Sequence, residues 1–537
     1  MALGEGAPSM DATIAALDEA VKARTRHVSN LAQQIVDRQR FDFMAKHGLG
    51  LTRAQYLEAV PKRAQIRKAY ERDGFSPEIK LGHLPLMYRY RDEFTPDTEG
   101  WIRFLLAQHE GYGRVLGAVP APALPEALRK QHTLISAASG WGKSELMKAL
   151  VHHYVMHPSS AVIVLDPHGD MARQIARFLE FEDGKRLLFV EPGLRPGLTV
   201  GLNPLDGRGL DEEGVALSAA QIATALGELV ADLTPNMQTV ARNCVRVLLE
   251  EKTANLFDLV QLLAPRPKRG SNQPENPRRA AIVAKGKRHP DRTVAEFFAV
   301  DMDGESFDSA KAALRNRVLS LLSIPRFQAM TCGPATLDLE RAMDARKIVV
   351  VNLGPLGSEG GSAMGRLLIN MVAAIGRRRE RLPLTSRVPC HVLVDEASTM
   401  ISPAMLRILT ELRKYGIPLT LAQQVGGTGF ADDGRRILAT NTACKFVGSN
   451  DGGEIGRLFG KDARDLPKLQ RGQFWVKWGA DADPVKLTVR SDLADDRHGL
   501  SDAAWEASVD RMTSDYYRPA KQALEAPQEA AEAVWST

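Results

Sequence analysis

The sequence predicts an α/β fold: a doubly wound, parallel sheet with helices on both faces, an inserted all-helical domain and a helical N-terminal section. Two patterns carry the prediction. Short β-branched runs at His132–Ser136, Ala161–Leu165, Arg186–Val190, Lys347–Leu353, His391–Val394, Pro418–Ala422, Cys444–Gly448 and Gln473–Trp478 alternate with stretches of helical character. Apolar runs of about four to eight residues separated by helices mark parallel strands buried on both faces. The alternation stops between about 207 and 345, where 213–263 and 306–330 both read as helical, so an insertion is expected there.

From the N-terminus, residues 1–115 are expected to be mainly helical. Ser9 can cap a helix whose apolar positions include Ile14, Leu17, Val21, Val28, Leu31 and Ile35. Thr52 with Gln55 makes a capping box for a second helix, which Pro61 would kink or break. Pro120, Pro122 and Pro125 punctuate the approach to the sheet domain, assigned to 116–206 and 346–490. The insertion takes 207–345. Within it, 265–292 is expected as a flexible basic loop, with nine Lys/Arg against Glu275 and Asp291. The polar, Ala/Glu-rich residues 491–537 are expected as a tail that frays or docks on a partner.

Composition narrows the class. The 537 residues are 44% apolar and 25% charged, ordinary for a water-soluble globular protein, and allow two to four domains. The net charge of +5 permits a polyanionic partner without requiring one. Cys244, Cys332, Cys390 and Cys444 form no CxxC pair, which argues against a structural zinc or a disulfide framework and for a reducing compartment. No run reaches the ~18 apolar residues of a membrane span, and the first residues do not read as a signal peptide. The expectation is a cytoplasmic protein that reaches an inner membrane only through a partner.

The chemistry concentrates at strand ends. Thr133–Ser136 leads into Ala137-Ala-Ser-Gly-Trp-Gly-Lys-Ser144 and then a helical stretch, the context a phosphate-binding P-loop requires. Backbone N–H groups from 139 to 144 would form a nest for a β-phosphate, and the following helix N-terminus adds a favourable dipole. Ala138, Ser139, Gly140, Trp141, Gly142, Lys143, Ser144 and Glu145 are therefore the candidate nucleotide-binding residues, with Lys143 on the β- and γ-phosphates and the Ser144 hydroxyl on Mg²⁺. Two features depart from the usual loop: Ala137 stands where a first glycine is common, and Trp141 is bulky, with its side chain expected to point outward.

Val392-Leu-Val-Asp395-Glu396 is an apolar run ending in two carboxylates. A buried strand would deliver Asp395 to the carboxyl edge of the sheet, where doubly wound folds bind ligands. Asp395 would hold Mg²⁺, and Glu396 would orient and polarise an attacking water. Pro418–Gln424 is a strand ending in Gln423 and Gln424, either of which could report on a γ-phosphate. Asp166, ending the run Val162–Leu165, could lie behind the metal. Arg413 reads equally as a trans-acting finger for a neighbouring subunit or as a solvated helix end. The basic loop could grip a phosphate backbone, but no aromatics interleave with its charges, so base stacking is not indicated.

Taken as an ordered set, ISAASGWGKS, VIVLDPHGD, GLNPLD (201–206), VVVNLGPLG (349–357), LVDEAS (393–398), LRKYGIPLTLAQQ (412–424), the stretch ATNTACKFVGSNDGGEIGRLFG and LPKLQRGQFWVKW (466–478) resemble the coupling-protein ATPases of conjugative type IV secretion, in the HerA–FtsK superfamily of P-loop motors. The resemblance covers about 115–490. It implies a RecA-like ATPase core with an inserted helical domain, ATP and Mg²⁺ as cofactors, and a homohexameric ring that moves DNA without reading its sequence, in company with a relaxase and secretion-channel proteins. By motif, Lys143, Ser144, Asp395, Glu396 and Gln424 take the roles given above, and Arg413 matches an arginine finger. The family's N-terminal membrane helices have no counterpart here, which leaves two other readings open: a HerA-like helicase or translocase for DNA repair or packaging, and an ATP-dependent docking adaptor.

Overall fold

The structure, a computed structural model, describes residues 130–156, 159–182, 184–227, 234–266, 276–400, 411–424, 432–460, 466–479, 484–489 and 499–521. The expected helical section at 1–115 lies outside the described residues.

Eleven strands are described: β1 (Thr133–Ala137), β2 (Ala161–Asp166), β3 (Leu187–Val190), β4 (Leu198–Val200), β5 (Ile348–Asn352), β6 (Cys390–Val394), β7 (Leu419–Gln424), β8 (Cys444–Gly448), β9 (Gln473–Trp478), β10 (Val485–Thr488) and β11 (Tyr517–Pro519). Nine of them form one sheet in the order β10-β9-β8-β1-β7-β6-β2-β5-β3. The run from β8 to β3 is parallel throughout. Its inner members β1, β2, β5 and β6 are buried at every position, as expected for strands covered on both faces.

All eight expected strands are present, but the sheet is not wholly parallel. β9 runs antiparallel to β8, and β10 antiparallel to β9. Antiparallel neighbours need no crossover connection, and the stretch between β8 and β9 includes the helix Gly452–Phe459. The unforeseen strands were illegible for physical reasons. β10 (VKLT) is a four-residue edge strand with little burial, too short for its alternation to stand out, while β4 and β11 have three residues each and β11 includes a proline.

The helices that matter for the site and its surroundings are α1 (Lys143–Val155), α2 (Asp170–Ala176), α3 (Glu212–Gly227), α4 (Pro235–Glu250), α5 (Leu256–Leu262), α6 (Pro277–Lys287), α7 (Asp308–Leu322), α8 (Pro325–Thr331), α9 (Gly357–Arg378), α10 (Asp432–Asn441), α11 (Gly452–Phe459) and α12 (Asp502–Tyr516). Between β4 and β5 the described chain is helical, and α3 lies against both α4 and α9. The α4 N-terminus is set by Thr234, whose hydroxyl accepts from the Met237 N–H, with Pro235 at the first helical position.

Much of the basic segment expected as a flexible loop is instead helical. Asn276 accepts from the Arg278 and Arg279 N–H groups and Pro277 opens α6. The charges are matched rather than free: Arg278 pairs with Asp258 and Glu251, Lys285 with Glu251, and the buried Arg279 with Asp303 at 2.6 Å. A guanidinium taken out of water needs such a partner.

Part of the expected polar tail also folds back. Trp505 on α12 packs edge-on against Phe189 of β3, with ring centroids 5.7 Å apart. The Tyr516 and Tyr517 hydroxyls both donate to the Phe189 carbonyl, at 3.1 and 2.9 Å, and β11 pairs antiparallel with β4. The aromatic residues spaced along this Ala/Glu-rich sequence are what dock it.

Candidate active site

The carboxyl ends of β1, β6 and β7 converge because β7 lies between the other two. β1 then passes into the loop 138–142 and α1. Ala137 is still part of β1, with ordinary strand backbone, so a methyl group at the first-glycine position costs no strain there. Gly140 (φ 69°) and Gly142 (φ 104°) take the left-handed conformations that a side chain resists. The loop is anchored by the Ala138 N–H to the Gly448 carbonyl of β8 (3.1 Å), and a turn closes from the Trp141 N–H to the Ala138 carbonyl (3.1 Å). No side chain caps the N-terminus of α1, whose capping position is Gly142. The first-turn N–H groups are thus available to an anion.

Trp141 does not point outward. Its indole N–H donates to the Gln473 carbonyl at 3.0 Å, and a methyl group added to Gly448 would stand only 2.7 Å from the Trp141 ring. The Gly472 N–H returns a bond to the Trp141 carbonyl (3.0 Å). The P-loop is therefore fastened to the β8–β9 edge by the one bulky residue it contains. Gly472 and Gln473 were not among the expected site residues, because only the strand order brings residue 472 to residue 141.

β6 delivers the acidic pair. The Asp395 N–H donates to the Leu165 carbonyl (3.0 Å), and the Glu396 N–H to Asp395 Oδ1 (2.9 Å). Glu396 has a positive φ of 45°, uncommon for a non-glycine residue and costing roughly 1–2 kcal/mol. Lys143 Nζ lies 2.5 Å from Glu396 Oε1 and 3.1 Å from Asp395 Oδ1. Burial pushes the Asp395 carboxyl up, and the nearby ammonium offsets this only in part. Burial alone would lower the Lys143 ammonium, but Asp395 and Glu396 outweigh it and hold it above its ordinary value. Gln424, at the end of β7, donates from Nε2 to Glu396 Oε1 at 3.4 Å.

Five of the expected residues, Gly140, Gly142, Lys143, Asp395 and Glu396, thus meet at one crevice, with Ser144 in the first turn of α1 and Gln424 at its margin. Others are placed differently. Glu145 is turned along the helix, 2.7 Å from Lys148 Nζ, which leaves its backbone as what it offers the loop. Each Asp166 oxygen accepts one backbone N–H, from His168 and Ala172 at 2.9 and 2.8 Å, so this carboxylate helps build the turn into α2. Gln423 is buried on β7 beside Ser136 of β1.

Arg413 is at the other end of the sheet. It lies in a turn (Arg413–Tyr415) ahead of β7, and its guanidinium donates to Gln131 Oε1 at 2.5 Å, just before β1 begins. The length of β1 separates it from the P-loop of its own chain, about 16 Å for five strand residues.

The crevice fits a polyphosphate with a divalent cation. Glycine backbone and uncapped N–H groups form the cradle, the Ser144 hydroxyl in α1 and the Asp395 carboxylate are groups of the sort Mg²⁺ takes, and the Lys143 ammonium lies against Asp395 and Glu396.

Residues 112–267 match the family described as helicase HerA, central domain. The matched stretch contains the P-loop, α1 and β2. No curated protein matches this chain. Solved structures similar to it include the plasmid coupling protein TrwB in complex with ADP and Mg²⁺, with a TM-score of 0.48, 14% identity, and coverage of 70% of this chain and 90% of that one. TrwB in complex with a non-hydrolysable ATP analogue is similar at TM-score 0.48 and 13% identity, over 68% and 86% of the two chains. VirB4 of Thermoanaerobacter pseudethanolicus is similar at TM-score 0.41 and 19% identity, over 67% and 89%. Among the described residues, no helix is long and apolar enough to cross a membrane.

Proposed function

We propose that this protein is an ATP-hydrolysing DNA translocase that serves as a coupling ATPase for conjugative type IV secretion, working as a homohexamer with ATP and Mg²⁺. The observation that carries the reading is Lys143 joined to Asp395 and Glu396 beneath an open glycine cradle. A structural role alone does not call for two carboxylates and an ammonium at a sheet edge with uncapped helix N–H groups beside them.

In this reading Gly140, Gly142 and the neighbouring N–H groups bind the phosphates. Lys143 leaves the carboxylates to hold the β- and γ-phosphates as a point charge. Ser144 and Asp395 hold Mg²⁺, which when bound neutralises charge on the phosphates. Glu396, released from Lys143, orients water and takes its proton. Gln424, bonded to Glu396 in this structure, ties β7 to the state of that carboxylate. Arg413, remote from its own P-loop, acts on the site of a neighbouring subunit, which is what ties hydrolysis to a ring. The matching of Arg278, Arg279 and Lys285 by acids moves the expected DNA contact away from α6.

The match to a helicase domain favours a second reading, a HerA-like translocase for DNA repair or packaging with the same chemistry. Steady-state ATPase activity with and without DNA, for wild type, Lys143→Ala and Glu396→Gln, tests the motor. DNA-stimulated turnover lost in both variants supports it. Turnover indifferent to DNA removes the motor's substrate and brings the docking adaptor forward. Relaxase capture by wild type then separates conjugation from repair.

A further inference from the structure

We propose that Arg471 is a phosphate-contacting residue of the nucleotide site, acting within its own chain from the turn that leads into β9. The proposal rests on the nucleotide-binding reading of the P-loop and adds to it a cationic group that stands outside both the P-loop and β6.

The turn 470–473 is held in place over the loop. The Gly472 N–H donates to the Trp141 carbonyl (3.0 Å) and the Trp141 indole to the Gln473 carbonyl (3.0 Å). The turn is also closed on itself: the Gln473 N–H donates to the Gln470 carbonyl (3.0 Å), and the Gln470 N–H to Gln473 Oε1 (2.9 Å). The Val489 N–H fixes it from behind through the Gly472 carbonyl (2.8 Å), and Gly472 takes a positive φ of 81°. These bonds leave the Arg471 backbone little freedom relative to residues 140–142.

Arg471 Nη2 reaches 4.0 Å from the position a Cβ would occupy on Gly140, and a Cβ on Gly142 would touch the Gly472 backbone at 3.5 Å. The guanidinium therefore stands at the rim of the phosphate cradle. It is exposed, and no carboxylate pairs with it among the described residues, whereas Lys143 across the crevice is paired with two. An unpaired guanidinium beside a nest of N–H groups suits a polyphosphate, because its planar fork can give two parallel bonds to phosphate oxygens. The fixed turn lowers the ordering cost of making them.

The test is a fluorescence titration of the full chain with Mg²⁺ and N-methylanthraniloyl-ATP, together with kcat and KM for ATP and the thermal midpoint without nucleotide. Wild type, Arg471→Ala, Arg471→Lys and Lys143→Ala are compared. Removing one charge-assisted bond should weaken ATP binding in Arg471→Ala by about 10- to 100-fold, with Arg471→Lys between it and wild type and the midpoint unmoved. Wild-type affinity in Arg471→Ala, alongside loss of binding in Lys143→Ala, overturns the Arg471 role and leaves the nucleotide site standing. A lowered midpoint in Arg471→Ala that accounts for the weaker binding assigns the residue to the fold and overturns the role as well. A wild-type chain that binds no nucleotide sinks both readings together.

Discussion

Lys143 Nζ, at the start of α1, and Glu396 Oε1, just past the end of β6, stand 2.5 Å apart although β7 separates β1 from β6. The same ammonium lies 3.1 Å from Asp395. On the proposed reading, nucleotide binding exchanges these carboxylate partners of Lys143 for phosphate, and frees Asp395 and Glu396 for the metal and the water.

Lys143→Ala should therefore act twice. It removes the phosphate ligand, and it leaves two close carboxylates without their shared cation. Nucleotide binding should be lost. The nucleotide-free protein should also lose stability on the order of 2 kcal/mol, read by urea denaturation. Unchanged stability would mean the ion pair contributes nothing to the resting fold.

Asp395→Asn separates stability from activity. Burial outweighs Lys143 and raises the Asp395 carboxyl, so its protonated form is favoured by folding. A group with a raised folded pKa contributes stability at low pH and loses it as pH rises through that value. At neutral pH the asparagine variant should be no less stable than wild type in a thermal melt, while Mg²⁺-dependent turnover disappears. The acid limb of kcat/KM in wild type should lie above the ordinary aspartate range, since Asp395 must be ionised to hold the metal.

Glu396→Gln should retain ATP binding and lose about 10²- to 10⁴-fold in kcat, the span of a general base. Glu396→Gly should be equally inactive yet gain stability, because glycine takes the 45° φ without strain. A glycine variant less stable than the glutamine variant would show that side-chain bonds, not backbone conformation, dominate at this position.

Arg413 is anchored to Gln131 at the far edge of its own sheet. Arg413→Ala should bind nucleotide normally and fail to hydrolyse it. Mixing it with Lys143→Ala should restore part of the activity, since some sites then combine an intact Lys143 with a neighbour's intact Arg413. No recovery on mixing would remove the trans role.

The four cysteines are buried, and burial pushes each thiol up to about 12. Native protein should resist thiol reagents at pH 8, with all four reacting in denaturant. Fast labelling of the native protein would indicate local opening around β6 or β8, which hold Cys390 and Cys444.

The sequence by itself determined eight of the nine strands of the main sheet and the residues at their ends. Buried β-branched runs have one compatible environment, and the small residues of 138–142 and the acids at 395–396 mark strand termini whatever the strand order. Tertiary structure decided the rest, because those relationships depend on order and register. β7 placed between β1 and β6 brings Lys143 to Asp395 and Glu396, while Arg413 goes to the opposite edge. The antiparallel return of β9 turns Trp141 inward and carries Arg471 to Gly140. Asp166 looked equivalent to Asp395 along the chain, yet each of its oxygens accepts an N–H of the turn after β2. No local pattern distinguishes a carboxylate that faces a crevice from one that closes a turn; the neighbouring strands and the N–H groups they present make that difference.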